Sequence, residues 1–524
     1  MHRSFIGALA VVLGLIMVAP VAAVSAVNDS YGSTDSDSAV VVAAPAGYLP
    51  VIGAARKPPT GPLHIATTKR TNIVVIMVDD LAEMGPNLWN HLPALKAAFV
   101  DQGIEFTNYF GNDPLCCPGR AGFLTGQYTD HHGVWTNDAT LLDPSETVAT
   151  ELRGVGYDTI ISGKYLNNMD ALVDKTPKGW TQSAIFAGGY YRYRAWVNGV
   201  YQYHGSTTAD YSPDVFTNQA LQFMRNTPAN KPIFAFLTPY DVHEGPDQNG
   251  KDPGWNMPVT APRYEKAANA SSCQGIGNYN PPSYDEADVS DKPAYIKDEV
   301  GLVASHYPDG WPLHPICTSL LAVNDEFVRV KAELKAEGRL NKTLFVLTGD
   351  NGMAFGAHGW PKKDVPYAEQ LPLYVYWPAG RGTTQTTSAA YIANVDAAPT
   401  LCEVGGCVMG PYPNGQKTSD GQSFLGLIVP NRSSSVPVRD ALYQEHRTED
   451  APRYPFRDLR TTDQNPLGLW QYVVYDNGEC ELYDLTNDPW ELNNVCNQFF
   501  YLVIQAQLAT RLASFVTHVK PGVP

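Results

Sequence analysis

The chain has 524 residues, 44% of them hydrophobic and 17% charged, with a formal net charge of −16. That length exceeds one small core and suits a large α/β domain plus a smaller one. The composition is that of a globular protein. The negative charge argues against a nucleic-acid binder and repels a polyanion at long range unless the site is locally basic.

Met1-His2-Arg3 precedes an apolar run from Phe5 to Val18, then Pro20 and small residues through Ala26. This pattern predicts a secretory signal peptide over residues 1–26, with cleavage after Ala23 or Ala26, and a secreted, extracellular product. An uncleaved anchor is the alternative, but the run is short for a span and Pro20 interrupts it. No later stretch is long and apolar enough to cross a membrane, so stable membrane insertion is not expected. Residues 27–70, rich in Ser, Ala, Val, Pro and Gly, read as a linker or N-terminal arm.

Asn72-Ile73-Val74-Val75-Ile76-Met77-Val78 is a continuous apolar run that ends in Asp79-Asp80. It predicts a central strand buried on both faces. Charges at the carboxyl end of such a strand lie where open α/β sheets place their sites, although alone the pair reads equally well as a helix cap. Cys116-Cys117-Pro118-Gly119-Arg120 follows, leading into the apolar run that ends at Gly126. Adjacent cysteines do not pair with each other without strain, and distant disulfide partners are the bland explanation. The run from Arg120 to Leu124 reads as the start of a helix. A helix N-terminus beside an Arg is a place to hold an anion, so the stretch offers a reactive sulfur at an oxyanion site.

Further strands are predicted at Asp158–Ser162 and Pro232–Thr238. Helices are predicted around Pro93–Gln102, Val215–Arg225 and Cys317–Gly338, the last with an apolar face of Leu320, Leu321, Val323, Phe327, Val328, Val330 and Leu334. Residues 245–315 read as a long ordered insertion, the kind of loop that often carries function. A second buried run, Thr343–Thr348, leads into Gly349-Asp350-Asn351-Gly352. Two strands that each end in carboxylate or amide oxygens make a metal-site pattern, and hard oxygens favour Ca²⁺ or Mg²⁺ over zinc. Strands alternating with helices imply a doubly wound α/β sandwich.

Past about residue 435 the character changes. Trp470–Tyr475, the turn signal Asn477-Gly478 and Cys480–Leu485 predict a β-hairpin, and Phe499–Val519 an amphipathic helix. The expected division is a main domain over 71–435 and a small α+β domain with an antiparallel sheet over 436–524. Besides Cys116 and Cys117 there are six cysteines, which allow fifteen pairings. The economical pairing joins neighbours: Cys273–Cys317, Cys402–Cys407 and Cys480–Cys496. None has the Cys-x-x-Cys spacing of a structural zinc site.

Cys116-x-Pro118-x-Arg120 followed by Leu124-Thr125-Gly126 resembles the signature of the formylglycine-dependent sulfatase family. So do Asn394-Val395-Asp396-Ala397-Ala398-Pro399-Thr400-Leu401 and Glu481-Leu482-Tyr483-Asp484-Leu485 with Asp488-Pro489 and Glu491. The resemblance covers roughly residues 71–510. It implies an alkaline-phosphatase-like sandwich: a large mixed, mostly parallel sheet flanked by helices, plus the small antiparallel domain. It also implies that Cys116 becomes formylglycine, made by a separate formylglycine-generating enzyme. Asp79, Asp80, Asp350 and Asn351, with the modified Cys116, match the metal ligands, for Ca²⁺ or alternatively Mg²⁺. Arg120 would steady the nucleophile, Lys164 would hold sulfate, and His243 would face the leaving oxygen. A further lysine is implied after the Asp-Asn-Gly segment, for which Lys362 and Lys363 both qualify and the spacing to Tyr367 favours Lys363. His358 is a second-rank substrate contact, and His131 and His132 look structural.

The implied activity is hydrolysis of a sulfate monoester on a sugar or aryl group, with formylglycine hydrate as nucleophile. The segment Gly163-Lys164-Tyr165-Leu166-Asn167 is similar to the N-acetylglucosamine-6-sulfatase and heparan 6-O-endosulfatase branch. The chain departs from the family at Gly119, where Ser or Ala is usual. It departs again at Tyr165-Leu166-Asn167, which replaces a Trp-His, and at Gln370-Leu371, where an Arg is usual. Two other readings stay open on sequence: a phosphomonoester or phosphonate ester hydrolase on the same scaffold, and a non-catalytic exported binding protein.

Overall fold

The computed structural model describes residues 68–516 apart from 267–268, 300, 414, 432 and 448–453. The expected signal peptide and nearly all of the 27–70 arm lie outside the described residues. In chain order the main elements are β1 (Asn72–Val78), β2 (Ile104–Phe110), α1 (Cys116–Thr125), β3 (Asp158–Lys164), β4 (Gln182–Phe186), β5 (Arg194–Val197), β6 (Val200–Tyr203), α2 (Ser212–Asn226) and β7 (Ile233–Thr238). They continue with α3 (Leu313–Ala336), β8 (Thr343–Gly349), β9 (Leu373–Tyr376), β10 (Thr387–Ala393) and α4 (Ala397–Gly405). The last are β11 (Ala441–His446), β12 (Phe456–Thr461), β13 (Trp470–Tyr475), β14 (Cys480–Asp484) and α5 (Leu502–Ala513).

A ten-stranded mixed sheet runs in the order β10-β2-β9-β8-β1-β7-β3-β4-β5-β6, and a four-stranded antiparallel sheet runs β11-β12-β13-β14. β1 shows why the large sheet is a sandwich. Its Val74, Ile76 and Val78 enter one core with Phe216 of α2 and Leu320 and Phe327 of α3. Its Ile73, Val75 and Met77 enter the other core with Phe123 of α1 and Leu401 of α4. The period-two alternation therefore buries both faces, each large side chain contributing about 1.5–3 kcal/mol. The second sheet closes on α5 through Leu508 and Leu512.

Register delivers the site. β1 pairs in parallel with β8 from Asn72↔Thr343 to Val78↔Gly349, so Asp79-Asp80 and Asp350-Asn351 leave the sheet side by side. β7 pairs in parallel with both β1 and β3, with Ile76 opposite Leu237 and Gly163 opposite Thr238. The carboxyl ends of β8, β1, β7 and β3 thus share one edge, where doubly wound sheets place ligands.

The three neighbour disulfides, Cys273–Cys317, Cys402–Cys407 and Cys480–Cys496, are all present, and Cys116 and Cys117 are free. The first ties the 245–315 insertion to α3. Several expectations need correction. The helix expected around Pro93–Gln102 is present over Pro93–Val100, but only Pro93–Leu95 is α-helical and Lys96–Val100 is a π-helix. Val328 is exposed rather than part of the α3 core face: the hydrophobic stripe is narrower than its apolar residues suggest. The terminal helix begins at Leu502 after a 3₁₀ turn that leaves Phe499 and Phe500 exposed. No described helix is long and apolar enough to cross a membrane.

Candidate active site

Cys116 opens α1. Leu115 before it is extended, and Gly126 ends the helix in a left-handed turn. All ten residues of α1 are buried. The helix lies hard against the end of β8: a Cβ on Gly119 would stand 2.2 Å from the Asp350 carbonyl oxygen. That contact accounts for glycine at the position where the family usually has Ser or Ala. Gly163, at φ +125° beside Thr238, is the second close approach, and it carries Lys164 to the edge.

The predicted charged residues converge on the Cys116 sulfur. Lys363 Nζ donates to Sγ at 2.9 Å and Lys164 Nζ at 3.4 Å, while Asp80 Oδ1 lies 4.0 Å away. Lys363 also donates to Asp80 Oδ1 at 2.6 Å, and Lys164 to both oxygens of Asp79 at 2.8 and 2.9 Å. Lys362 instead pairs with Glu244 at the surface, so of the two adjacent lysines only Lys363 reaches the sulfur. Arg120 bonds Asp350 Oδ2 at 2.8 Å, Asp79 Oδ1 at 3.1 Å and the Lys164 carbonyl. Its guanidinium braces the carboxylates.

Asp350 Oδ1 accepts the backbone N–H groups of Asp80 and Asn351. Asp80 sits at φ +57°, a left-handed conformation that costs about 1–3 kcal/mol and that aspartate tolerates better than most. Asn351 Nδ2 donates to Asp80 Oδ1 at 2.8 Å, and its buried Oδ1 has no partner. An orphaned buried amide oxygen beside three buried carboxylates fits a hard divalent cation. Donor atoms of Asp79, Cys116 and Asp350 lie within 4.8 Å of one another, as do those of Asp80, Cys116 and His243.

His243 follows β7 and faces Asp80 Oδ2 with Nε2 at 3.5 Å. Its Nδ1 lies 2.8 Å from the Glu244 carbonyl and 2.9 Å from the Tyr240 hydroxyl. A carbonyl accepts only, so Nδ1 carries hydrogen and Nε2 is the working nitrogen. Tyr240, which sequence reasoning did not single out, stacks on His243 and lies beneath the Lys164 ammonium. A tyrosine three residues before a loop histidine gives no signal in sequence. His358 is buried, with Nδ1 on Glu286 at 2.7 Å and its ring against Tyr367. His131 pairs with Asp420, and His132 accepts from the Val134 N–H.

Electrostatics sort these groups. Burial pushes the Cys116 thiol up to about 11; Lys164 and Lys363 oppose that, but Asp80 and Asp350 add to it. The unmodified thiol is therefore protonated at neutral pH and a poor nucleophile. Burial would also raise Asp80, but Lys363, His243 and Lys164 together outweigh it and hold the carboxyl well below its usual range. Burial raises Asp350 to about 6 against the pull of Arg120. Burial lowers His243 to about 4, with Lys164 and Lys363 adding to the effect and Asp80 opposing it. Burial would lower both lysines, but their carboxylates keep them charged: Asp79 first for Lys164 and Asp80 first for Lys363.

Comparison with known proteins agrees with this geometry. The family model described as Sulfatase matches residues 71–407, more than half of the chain, and that described as N-sulphoglucosamine sulphohydrolase, C-terminal, matches 356–518. The chain is 25% identical to N-acetylglucosamine-6-sulfatase of Capra hircus, covering 82% of this chain and 80% of that one. It is 29% identical to the extracellular sulfatase SULF-1 homolog of Drosophila melanogaster over 72% of this chain, but spans only 32% of the fly protein. Among solved structures, a protein in complex with its substrate D-glucosamine-2-N,6-O-disulfate superposes with a TM-score of 0.67 at 21% identity, covering 87% of this chain and 99% of that one. A phosphonate monoester hydrolase from Silicibacter pomeroyi gives 0.61 at 20% identity, covering 87% and 96%. At those identities the likeness concerns fold alone, whereas the family match spans the sheet edge and every charged group around Cys116. The chain is a sulfuric ester hydrolase of the sulfatase family.

Proposed function

We propose that the chain hydrolyses a sulfate monoester on a sugar of the 6-O-sulfated glucosamine kind, after export, with Cys116 converted to formylglycine. The observation that carries this is the Cys116 sulfur at the head of a buried helix, 2.9 Å from Lys363 and 3.4 Å from Lys164. The Gly163–Asn167 segment and the N-acetylglucosamine-6-sulfatases of goat and human among the relatives support the sugar. The extracellular relatives and the sequence pattern of residues 1–26 support export.

Formylglycine at Cys116 would supply a hydrated aldehyde as nucleophile, which the raised thiol pKa withholds from unmodified cysteine. A Ca²⁺ ion, with Mg²⁺ as the alternative, would be held by Asp79, Asp80, Asp350 and Asn351 and would polarise the sulfate oxygens. The chain's own residues do the rest. Arg120 bridges Asp350 and Asp79 and keeps the carboxylate pair in register. Lys164 and Lys363 flank position 116 and hold the anionic sulfate between them. His243, fixed through Nδ1, presents Nε2 to the departing oxygen and delivers its proton there. Burial and the two lysines leave Nε2 without that proton in the free site, so the role requires the anionic ester between the lysines to raise its proton affinity before the oxygen departs. Three carboxylates, Asp79, Asp80 and Asp350, face three cations, Arg120, Lys164 and Lys363, so an added dication leaves the pocket locally positive. That answers the long-range repulsion from a chain of charge −16.

Mass spectrometry of the Cys116 peptide from protein made in its own host, with turnover of paired sulfate and phosphonate monoesters, tests the reading. An aldehyde at position 116 and a kcat/KM favouring the sulfate ester are expected. An unmodified thiol in active enzyme, or preference for the phosphonate, defeats it.

A further inference from the structure

The second sheet meets the loop before Cys116 residue against residue. At the end of β11, Gln444 Nε2 donates to the Gly111 carbonyl at 3.0 Å, and the Glu445 N–H donates to the Asn112 carbonyl at 3.0 Å. His446 Nδ1 lies 3.1 Å from Asp113 Oδ1. Three consecutive residues hold three consecutive residues. The same Asp113 Oδ1 accepts the N–H of Leu115, the residue directly before Cys116, at 3.0 Å. On its other side, His446 Nε2 faces Asp364 Oδ1 at 3.7 Å. Asp364 directly follows Lys363 and sits in a left-handed turn at φ +70°. His446 and Asp113 are fully buried.

We propose that His446 is a positioning residue. One imidazole, delivered by the second sheet, clamps the Asp113 loop that carries Cys116 to the Asp364 loop that carries Lys363. It thereby sets the spacing between Lys363 and position 116. The proposal rests on reading Cys116 and Lys363 as reacting groups.

The physical case is one of entropy and leverage. Lys363 ends a flexible side chain, and holding its Nζ within hydrogen-bond reach of position 116 costs rotamer and loop freedom. A buried ring that bonds the Asp113 carboxylate at 3.1 Å and faces the Asp364 carboxylate at 3.7 Å, past hydrogen-bond reach, offsets that cost by holding one loop and packing against the other. The ring is fixed in turn. Phe456 of β12 packs on it with centroids 5.8 Å apart. Its neighbours Glu445 and Arg447 grip Asp130: Glu445 accepts the Asp130 N–H at 3.0 Å and Arg447 pairs with the Asp130 carboxylate. The second sheet is thus bolted to the loops around α1 at several points and meets the lysine loop again where Tyr367 bonds Glu481; His446 stands between Asp113 and Asp364, the residue next to Lys363.

The test uses the full-length converted enzyme and the variants His446→Ala, Asp364→Asn and the double variant, with hydrogen exchange and kinetics read together. In His446→Ala, amides of both 113–116 and 363–366 exchange faster while those of β1 are unchanged. Its kcat falls about 10- to 100-fold, the scale of a roughly 1 Å misplacement, while KM stays within about twofold. Asp364→Asn falls less, and the double variant is no worse than His446→Ala, because both act through one contact. Faster exchange confined to β11 and β12, a loss carried by KM, or multiplying effects overturns the clamp. If His446→Ala does not fold, Asp364→Asn decides: faster exchange in both loops supports the clamp, and in 363–366 alone overturns it. If the parent enzyme turns over no sulfate ester, the functional reading fails, and exchange still decides the clamp.

Discussion

Asp80 and Glu481 are both buried carboxylates, one at the edge of the large sheet and one in the second sheet, and they are held in opposite ways. Asp80 faces charge: Lys363, His243 and, more distantly, Lys164, which together overcome burial and keep it ionised. Glu481 faces three phenols, Tyr367, Tyr475 and Tyr483, which donate to its two oxygens. For Glu481 burial dominates and the pKa is raised. Beside Asp80 one amide oxygen is left without a partner, whereas Glu481 is fully satisfied by its neighbours. A satisfied buried acid joins parts of a fold, as Tyr367 from the lysine loop and Tyr475 and Tyr483 from β13 and β14 show. An acid held among cations with an orphaned amide oxygen beside it is arranged for something that arrives later.

The comparison breaks most sharply at the sulfur. Cys116→Ala is expected to abolish ester hydrolysis, by at least about 10⁴-fold, with thermal unfolding little changed. Residual turnover above that level would mean that the edge of the large sheet is no more chemical than the Glu481 cluster. Metal removal comes next. Dialysis against a chelator should remove nearly all activity, and Ca²⁺ or Mg²⁺ should restore it; Asn351→Ala should weaken the ion by about 10- to 100-fold, the scale of an altered ligand shell. Activity indifferent to chelator would remove the explanation offered for the unpartnered Asn351 oxygen. His243→Ala should then lower kcat by about 10²- to 10⁴-fold on esters of poorly leaving alcohols, and less on aryl sulfates, whose leaving groups need no proton. Equal losses on both classes would show that His243 binds rather than donates.

How much of this was legible in the chain depended on the range of the signal. The apolar runs of β1 and β8 with their terminal Asp79-Asp80 and Asp350-Asn351 were plain, because a strand buried on both faces has no polar interruption. The hairpin at Asn477-Gly478 is read from its turn residues, and the neighbour pairing of the cysteines, the economical one of fifteen, is the pairing present. β2, β4 to β6, β9 and β10 were not plain, since runs that mix polar and apolar residues or span only four or five residues take their strand character from the partners they pair with. Arg120 braces Asp350 and Asp79 besides lying near Cys116, and those two contacts follow from the register of β1 and β8, which the sequence does not display. Tyr240 and His446 carry no spacing signal, for each acts through a neighbour distant in sequence or structure. Gly119 looked like a departure from the family and became a packing requirement once α1 was seen against the Asp350 carbonyl.

The smallest effect sharpens the comparison on the opposite side. Asp80, with its depressed value, stabilises the folded chain above the ordinary carboxylate value of 3.8, and that contribution is lost as pH falls. Glu481 runs the other way. With a folded value raised above the ordinary 4.5, the folded chain holds the proton more tightly than the unfolded one. Its contribution is therefore complete below 4.5 and erodes as pH rises through the raised value. Glu481→Gln cannot ionise, so it should flatten that slope in a series of unfolding curves, while one phenol loses its acceptor at a cost of about 1–3 kcal/mol. Because none of the three tyrosines touches Cys116, kcat/KM per folded molecule should stay within about twofold, inside the scatter expected for uncoupled sites. A steeper pH slope in the variant, or a kcat that falls with it, would place Glu481 in the chemistry and dissolve the contrast with Asp80.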